Sequence, residues 1–410
     1  MSPTPSPADA AELAVREHYS RILATLIRVT GDVDIAQDAL QEATVRALQT
    51  WSRDGIPEQP RAWLTTVARR CAIDRIRRDL VREAKEAAAV AFTFEDVPEP
   101  SDSVVRDDLL RLVFTCCHPS LSLDAQVALS LRTLGGLSTA EVARALMVPE
   151  PTMAKRLTRV KQKIRLARIP YRVPSDEELP LRLPAVLSTI YLIFNEGYAA
   201  GGGEQVMRIV LIDEALRLGR LVHDLMPDEA SATGLLALML LQDSRRQARV
   251  SSQGSVIPLS EQDRTQWNAA GIREGVELVG EALRRTPQEP DAYAVQAAIA
   301  ACHALAGDFA HTDWDAVISW YDVLLTVQNS PAAQLGRASA IGERDGAEIG
   351  LTEVEAIRGL ELHAWWHAAR AELLHRLDRT EEARAASAQA VELGLNDAHA
   401  RYLGRVRSPA

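Results

Sequence analysis

The stretch GLSTAEVARALMVPEPTMAKRLTRVKQKIR, Gly136 to Arg165, decides how this chain folds. Ser138 stands three residues before Glu141. At that spacing a hydroxyl caps a helix amide while the carboxylate reaches back to the capping residue. Val142, Ala145 and Leu146 give this first helix an apolar face. A break follows at Val148, Pro149 and Glu150. Pro151 suits the first position of a second helix, where its missing N–H would be unpaired anyway. In that helix Met153, Leu157, Val160 and Ile164 recur about every 3.6 residues and predict one buried stripe. Thr152, Lys155, Arg156, Arg159 and Lys163 fall on a separate stripe. From Pro151 to Ser175 there are eight basic residues and no acidic one. A basic helix face is usually just solvated. Here the acid-free run coincides with a capped helix, a tight turn and a second helix, which favours a helix-turn-helix for DNA.

The rest of the composition fits a helical, multidomain protein. The chain has 410 residues, 47% hydrophobic and 5% aromatic, too long for a single core. Its net charge of −10 hides a division. Residues 1–175 carry +3 and the remainder −13, and no lysine follows Lys163. Nucleic-acid binding therefore belongs to the N-terminal part. Cys71, Cys116, Cys117 and Cys302 are too few and too irregular for a disulfide framework, so a reducing cytoplasm is expected. Met1 to Ala8 is Pro/Ser-rich and does not read as a signal sequence. Leu183 to Phe194 is too short to span a bilayer and reads as a buried helix. The expected protein is soluble and cytoplasmic, with no membrane contact.

Helical periodicity recurs along the chain, at 9–30, about 34–51, 63–82, 104–117, 124–134, 138–147 and 152–169. Between the third and fourth segments lies an acidic, proline-containing linker, FEDVPEPSDS. A second boundary, IPYRVPSDEELP, precedes about ten more helical segments. These are broken at Gly201–Gly203, at 251–260, and near Pro287 and Gly307. The expected fold class is all-α.

Two features of the first module bear on function. On the helix near 34–51, Ile35, Ala36, Ala39, Ala43, Ala47 and Trp51 share one broad face, while Asp38, Gln41, Glu42 and Gln49 lie opposite. This acidic and amide stripe is either a solvated face or a docking surface. The next helix carries Trp63, Leu64, Val67, Ala68 and Cys71 inward, with Arg69, Arg70 and Arg77 off that face and Arg75 and Arg78 close by. Tryptophan beside clustered arginine suits partly single-stranded DNA, and equally a core tryptophan with surface arginines.

Together, GDVDIAQDALQEATVRALQTW, PRAWLTTVARRCAIDRIRR and the helix-turn-helix stretch resemble an extracytoplasmic-function (ECF) sigma factor of the sigma-70 family, over residues 10 to about 170. The resemblance implies sigma region 2 at 10–82, a linker at 83–103 and sigma region 4 at 104–170. It implies that Asp38, Gln41, Glu42 and Gln49 bind the β′ clamp helices of core RNA polymerase, with the β flap as a further contact. Arg61, Trp63, Arg69, Arg70, Arg77 and Arg78 are implied to open the −10 promoter element, with the loop at about Arg53–Gln59 receiving a flipped base. Ser138, Thr152, Lys155, Arg156, Arg159 and Lys163 are implied to read the −35 element. Two departures matter. The turn of the helix-turn-helix has Met147-Val148-Pro149-Glu150 where a glycine is common, and Arg70–Cys71 replaces the family's frequent asparagine, so base preference does not transfer.

Beyond residue 175 the chain resembles the ECF subgroup with a long C-terminal extension of tetratricopeptide-like (TPR-like) helices. The segment LPAVLSTIYLIFNEGYAAGGG carries that likeness. The expected division is a helical extension domain at 180–285 and TPR-like repeats at 286–405. Ala371, Ala383 and Ala390 take small-residue positions between paired helices in the last repeat. Such an array suits a protein or peptide partner, and its charge allows it to cover the basic modules. Cys116–Cys117–His118 and Cys302–His303 lack a second ligand pair, so no metal or other cofactor is expected. Asn195–Glu196–Gly197–Tyr198 reads as a helix end, and no catalytic arrangement is evident. The expected function is promoter-directed transcription initiation, modulated by the extension, without enzymatic chemistry. The rival is a helix-turn-helix regulator with a TPR-type sensor, binding duplex DNA without polymerase. A third class, an enzyme built on 183–250, requires a deep polar pocket there.

Overall fold

A computed structural model describes residues 7–83, 102–146, 148–167, 169, 178–198, 207–251 and 256–393. The interdomain linker at 84–101, most of the proline-rich boundary at 170–177, and Gly201–Gly203 lie outside the described residues. The chain forms two compact units, 1–189 and 190–410. Among the described residues it is all-α apart from one isolated bridge, Val250–Val256.

The first unit begins with α1 (Pro7–Thr30), α2 (Val33–Asp54) and α3 (Pro60–Glu83). Asp32 caps α2, its carboxylate accepting the amides of Asp34 at 2.7 Å and Ile35 at 3.1 Å. Gly55, at φ 88°, ends the helix in a conformation that favours glycine. Ala36, Ala39, Ala43, Ala47 and Trp51 are buried on α2, and Leu64, Ala68, Cys71 and Ala72 on α3. The small side chains let the three helices approach closely, and Trp51 fills the end of the interface. Ile35, Trp63 and Val67 are only partly buried, so the inward faces read from periodicity hold at their centres and open at their margins.

Next come α4 (Asp102–Cys116), α5 (Leu123–Thr133), α6 (Thr139–Ala145) and α7 (Glu150–Leu166). α4 starts inside the stretch read as linker. It packs on α1, where Asp108, wholly buried, is paired by Arg28 Nε at 2.8 Å. The capping box at α6 forms as its sequence predicts. The Ser138 amide donates to Glu141 Oε2 at 2.6 Å, and the Glu141 amide donates to Ser138 Oγ at 3.1 Å. α7 starts one residue earlier than expected, with Pro149 as its cap and Pro151 at the second helical position. Pro151 fits there because the second amide of a helix has no intrahelical acceptor either. Met153, Leu157 and Val160 are buried and Ile164 partly so. Cys116 and Cys117 are packed inside α4 and its end. Burial pushes the Cys117 thiol up to about 11, leaving it a neutral core group 3.6 Å from Ser130 Oγ.

α8 (Leu179–Tyr198) contributes its first half to the first unit. There Arg182 donates to the Phe114 carbonyl at 2.7 Å and Thr189 Oγ1 donates to Gln126 Oε1 at 3.0 Å.

The second unit continues with α9 (Ile209–Leu225), α10 (Ala230–Asp243), α11 (Ala269–Arg285), α12 (Ala292–Leu305), α13 (Trp314–Val327), α14 (Pro331–Asp345), α15 (Ala347–Ala356), α16 (Ala364–Arg376) and α17 (Thr380–Glu392). Three short 3-10 turns fill the connection between α10 and α11. α10 is buried from Ala232 to Leu241 and packs on α9, α11 and α12. From α11 onward each helix packs on the next. Side-chain caps start most of this series: Asn268, Asp291, Asp313 and Ser330 each accept backbone amides of the helix that follows. Ala371, Ala383 and Ala390 are buried at the α16–α17 pair.

Two helices approach closely at Gly234 on α10, where an added Cβ would lie 2.7 Å from the backbone nitrogen of Ala294 on α12. At Gly280 on α11 an added Cβ meets only the tip of Arg284, at 3.1 Å. Gly234→Ala is expected to force the two helices apart and to destabilise by about 1–3 kcal/mol. Gly280→Ala should be neutral or stabilise by up to about 1 kcal/mol, through helix propensity. Urea unfolding of the two variants checks the contrast.

Candidate functional site

α2 turns its buried alanine face toward α1 and α3, which leaves the opposite face to solvent. Gln41 and Gln49 are exposed there, and Asp38 and Glu42 are half-exposed. Neither carboxylate is isolated. Asp38 is paired by Arg75 of α3 at 2.7 Å, and Glu42 by Arg46 one turn on at 2.6 Å. The face also carries two residues that the sequence reading passed over. Val45 is 52% exposed and Leu48 41%. With Gln41, Gln49 and Ser52 they follow the i, i+4, i+7, i+8, i+11 spacing of one helical stripe. Two large apolar side chains are thus aligned at this exposure on a helix whose core face is already filled. Their offset from the alanine series was the signal in the sequence.

On α3 the expected DNA residues divide by exposure. Arg70, Arg77 and Arg78 are exposed, while Arg61, Trp63 and Arg69 are partly buried. Trp63 stands edge-on to the buried Trp51, with ring centroids 5.5 Å apart and planes at 69°. The ring is therefore held in place by the core but remains partly open.

On α7 the burial of Met153, Leu157 and Val160 orients the polar residues. Thr152, Lys155 and Arg159 are exposed. With Arg156 and Lys163 they line a shallow cleft beside Ser122 and Asp124 at the start of α5. Lys163 Nζ donates to the Ser120 carbonyl, and Arg156 comes within 4.0 Å of Asp124. The structure thus gathers five of the six residues assigned to duplex reading. Ser138 is not among them, because it is engaged in capping α6.

A second basic edge of α7 faces α2. Lys161 Nζ reaches Asp34 Oδ1 at 2.5 Å and Gln37 Oε1 at 2.8 Å, and Arg165 Nη2 reaches Asp34 Oδ2 at 3.4 Å. Asp38 and Gln41 open onto a crevice of about 480 Å³ that is also lined by Leu157, Thr158, Lys161 and Gln162. The acidic start of α2 and the basic end of α7 therefore neutralise each other across two helical modules of the first unit. A salt bridge between partly exposed groups of this kind contributes on the order of 1 kcal/mol or less. Among the described residues no group of three His, Cys, Asp or Glu side chains is arranged to hold a metal ion, and no helix is long and apolar enough to cross a membrane.

Comparison with known proteins places these surfaces in a family. Residues 14–80 match the model of sigma-70 region 2 and residues 111–164 that of sigma-70 region 4. Residues 182–283 match a family of unknown function, DUF6596. Over almost its whole length, 96%, the chain is 39% identical to an uncharacterized protein of Rhizobium meliloti, covering 94% of that relative. It is 32% identical over 167 residues to the ECF RNA polymerase sigma factor SigL of Mycobacterium tuberculosis, which uses 39% of this chain and 93% of SigL. A probable ECF RNA polymerase sigma factor of the same species, SigI, is 27% identical over 165 residues, with 56% of its length covered. Both the exposed α2 face and the α5–α7 cleft fall within the matched regions, and the SigL match extends over nearly all of that protein. On this ground the chain belongs to the extracytoplasmic-function sigma-70 family of RNA polymerase sigma factors.

Proposed function

We propose that the chain binds core RNA polymerase through the outer face of α2, directs it to a promoter through α7, and assists melting of the −10 element through α3. The stripe formed by Gln41, Val45, Leu48 and Gln49 carries the first part. It supplies apolar area flanked by amides and by the Asp38 and Glu42 carboxylates. A basic helical partner such as the β′ clamp helices complements that surface, and region 4 then takes the β flap. On α3, Arg70, Arg77 and Arg78 supply cations for phosphates, and Trp63 offers a ring for an unstacked base. On α7, Thr152, Lys155, Arg156 and Arg159 reach the major groove of the −35 element, with Lys163 on the phosphate backbone. Engagement of both surfaces requires α7 to leave α2, freeing Asp38 and Gln41 from their shared crevice. The Lys161–Asp34 contact is weak enough to be replaced by the new interface.

The extension acts as a modulator in this reading. Its −13 balance opposes direct DNA binding, and its serial helices present a surface of the TPR-like kind to a protein or peptide partner. Four free cysteines and a polymerase partner support a cytoplasmic location.

Three measurements test these assignments. Val45→Glu with Leu48→Glu should leave the unfolding midpoint within about 0.5 kcal/mol, since both sites are exposed. It should weaken binding to purified core polymerase by about tenfold or more. Unchanged affinity would remove α2 as the docking face. Lys155→Ala should lower the slope of log affinity against log salt by about 0.9 on duplex promoter DNA, and a wild-type slope would reduce Lys155 to surface charge. Run-off transcription with core enzyme should differ between the full chain and a chain ended after Tyr198. That cut retains the α8 segment that packs on the first unit, and identical transcript yields would take away the extension's modulating role.

A further inference from the structure

Among the described residues, most arginines of the second unit are paired. Arg217, Arg220, Arg246, Arg337, Arg344 and Arg370, among others, each meet a carboxylate. Arg273, Arg284 and Arg358 have none but are exposed to solvent. Three remain, Arg245, Arg249 and Arg264, and these converge on one place. No carboxylate among the described residues lies within ion-pair distance of any of them. Arg249, only 8% exposed, has its guanidinium 3.7 Å from the centre of the Tyr198 ring. Arg264 lies 4.5 Å from the Trp267 ring centre and donates to the carbonyls of His303 and Ala306. Rings and carbonyls do not neutralise the charge, and Arg249 Nη1 and Arg264 Nη2 are buried without a hydrogen-bond partner among the described residues. Asp308, the acid acting on Arg264 from a distance, is itself bonded by His311. In a unit with a large acidic excess, the buried Arg249, with no carboxylate beside it among the described residues, is out of keeping with the rule that buried charges are paired.

Next to them lies a cavity of about 660 Å³, within the size range of small-molecule sites. Its wall includes Arg245, His303, Trp267 and the rings of Tyr191, Tyr293 and Tyr321. Trp267 Nε1 and His303 Nδ1 are buried donors or acceptors that lack any hydrogen-bond partner. Burial, with Arg245 and Arg264 close by, pushes the His303 imidazole down to about 4, so the ring is neutral at physiological pH. Asp291 is the one carboxylate in the wall. Its oxygen is already committed to the amides of Tyr293 and Ala294 at the start of α12.

We propose that this cavity binds a small organic anion with a flat apolar body. Arg245 takes the anionic group, the neighbouring guanidiniums deepen the positive potential, and Trp267 with the tyrosines covers the apolar part. Carboxylate and phosphate headgroups share this chemistry, because a planar guanidinium receives either in a two-point contact. The site is built from the extension alone and does not depend on the assignments made to α2, α3 and α7.

The test uses the full chain and two dyes of nearly the same shape, anionic 1-anilinonaphthalene-8-sulfonate and uncharged N-phenyl-1-naphthylamine, followed by fluorescence titration. One sulfonate dye per chain is expected, bound more tightly than the neutral one. Arg245→Gln should raise its Kd at least tenfold while changing that of the neutral dye little, and Arg245→Lys should restore part of the loss. Ala300→Phe, which fills the cavity, should exclude both dyes. The unfolding temperature of each variant confirms that it folds, and if Arg245→Gln does not, the lysine and phenylalanine variants decide. Benzoate and phenyl phosphate then compete for the sulfonate dye, and the stronger competitor identifies the headgroup. An unchanged Kd in Arg245→Gln, equal loss of both dyes in that variant, dye retained by Ala300→Phe, or displacement by neither competitor would overturn the assignment.

Discussion

Two ion pairs of very different depth hold the first unit together, and the difference governs what can move. Asp108 is wholly buried on α4 and is held by Arg28 of α1. Removing one partner from such a pair strands a charge out of water and costs about 3–5 kcal/mol, so α4 is firmly joined to the first three helices. Asp34 and Lys161 meet across α2 and α7 with the carboxylate side chain 47% exposed. Water repays most of what is lost when that contact parts. The helix-turn-helix is thus joined by contacts of unequal strength, Arg132 of α5 also donating to the Tyr19 hydroxyl of α1 at 3.2 Å. The weak Asp34–Lys161 contact lies beside Asp38 and Gln41 on the outer face of α2.

α7 shows how one amphipathic helix serves two electrostatic tasks. Burying Met153, Leu157 and Val160 leaves about two-thirds of its circumference open. Lys155 and Arg159 come out on one flank and Lys161 and Arg165 on the other. The first flank leaves its charge open to solvent, whereas the second is neutralised by the acidic start of α2. The N-terminal part as a whole carries only a modest +3. It limits nonspecific attraction to phosphate.

The surface of α2 and the cavity of the extension were legible to different degrees. Alanines 36, 39, 43 and 47 predicted the buried face, and the structure places them there. The stripe opposite is read in the sequence from its carboxylates and amides. Asp38 and Glu42 are in fact drawn into pairs with Arg75 and Arg46, while Val45 and Leu48 hold the exposed ground between them. Cys302–His303 was set aside as a chance neighbour pair for want of metal-ligand spacing. His303 instead contributes to a wall shared with Arg245, Trp267 and Tyr321, residues separated by up to 76 positions in the chain. No local spacing can register such a convergence.

What the sequence determined by itself is local: helix existence, capping, and the buried stripe of each helix, because these depend on neighbours within about four residues. The Ser138–Glu141 box and the Met153–Leu157–Val160 stripe needed no tertiary information. The family resemblance also rested on short motifs in order. Only the tertiary structure decided which charges are neutralised and which remain available. That depends on residues brought together from distant parts of the chain, as Asp34 meets Lys161 and as Arg245, Arg249 and Arg264 gather without a carboxylate. Charge acts through space at distances of several ångströms, and the order of residues along the chain does not encode those distances.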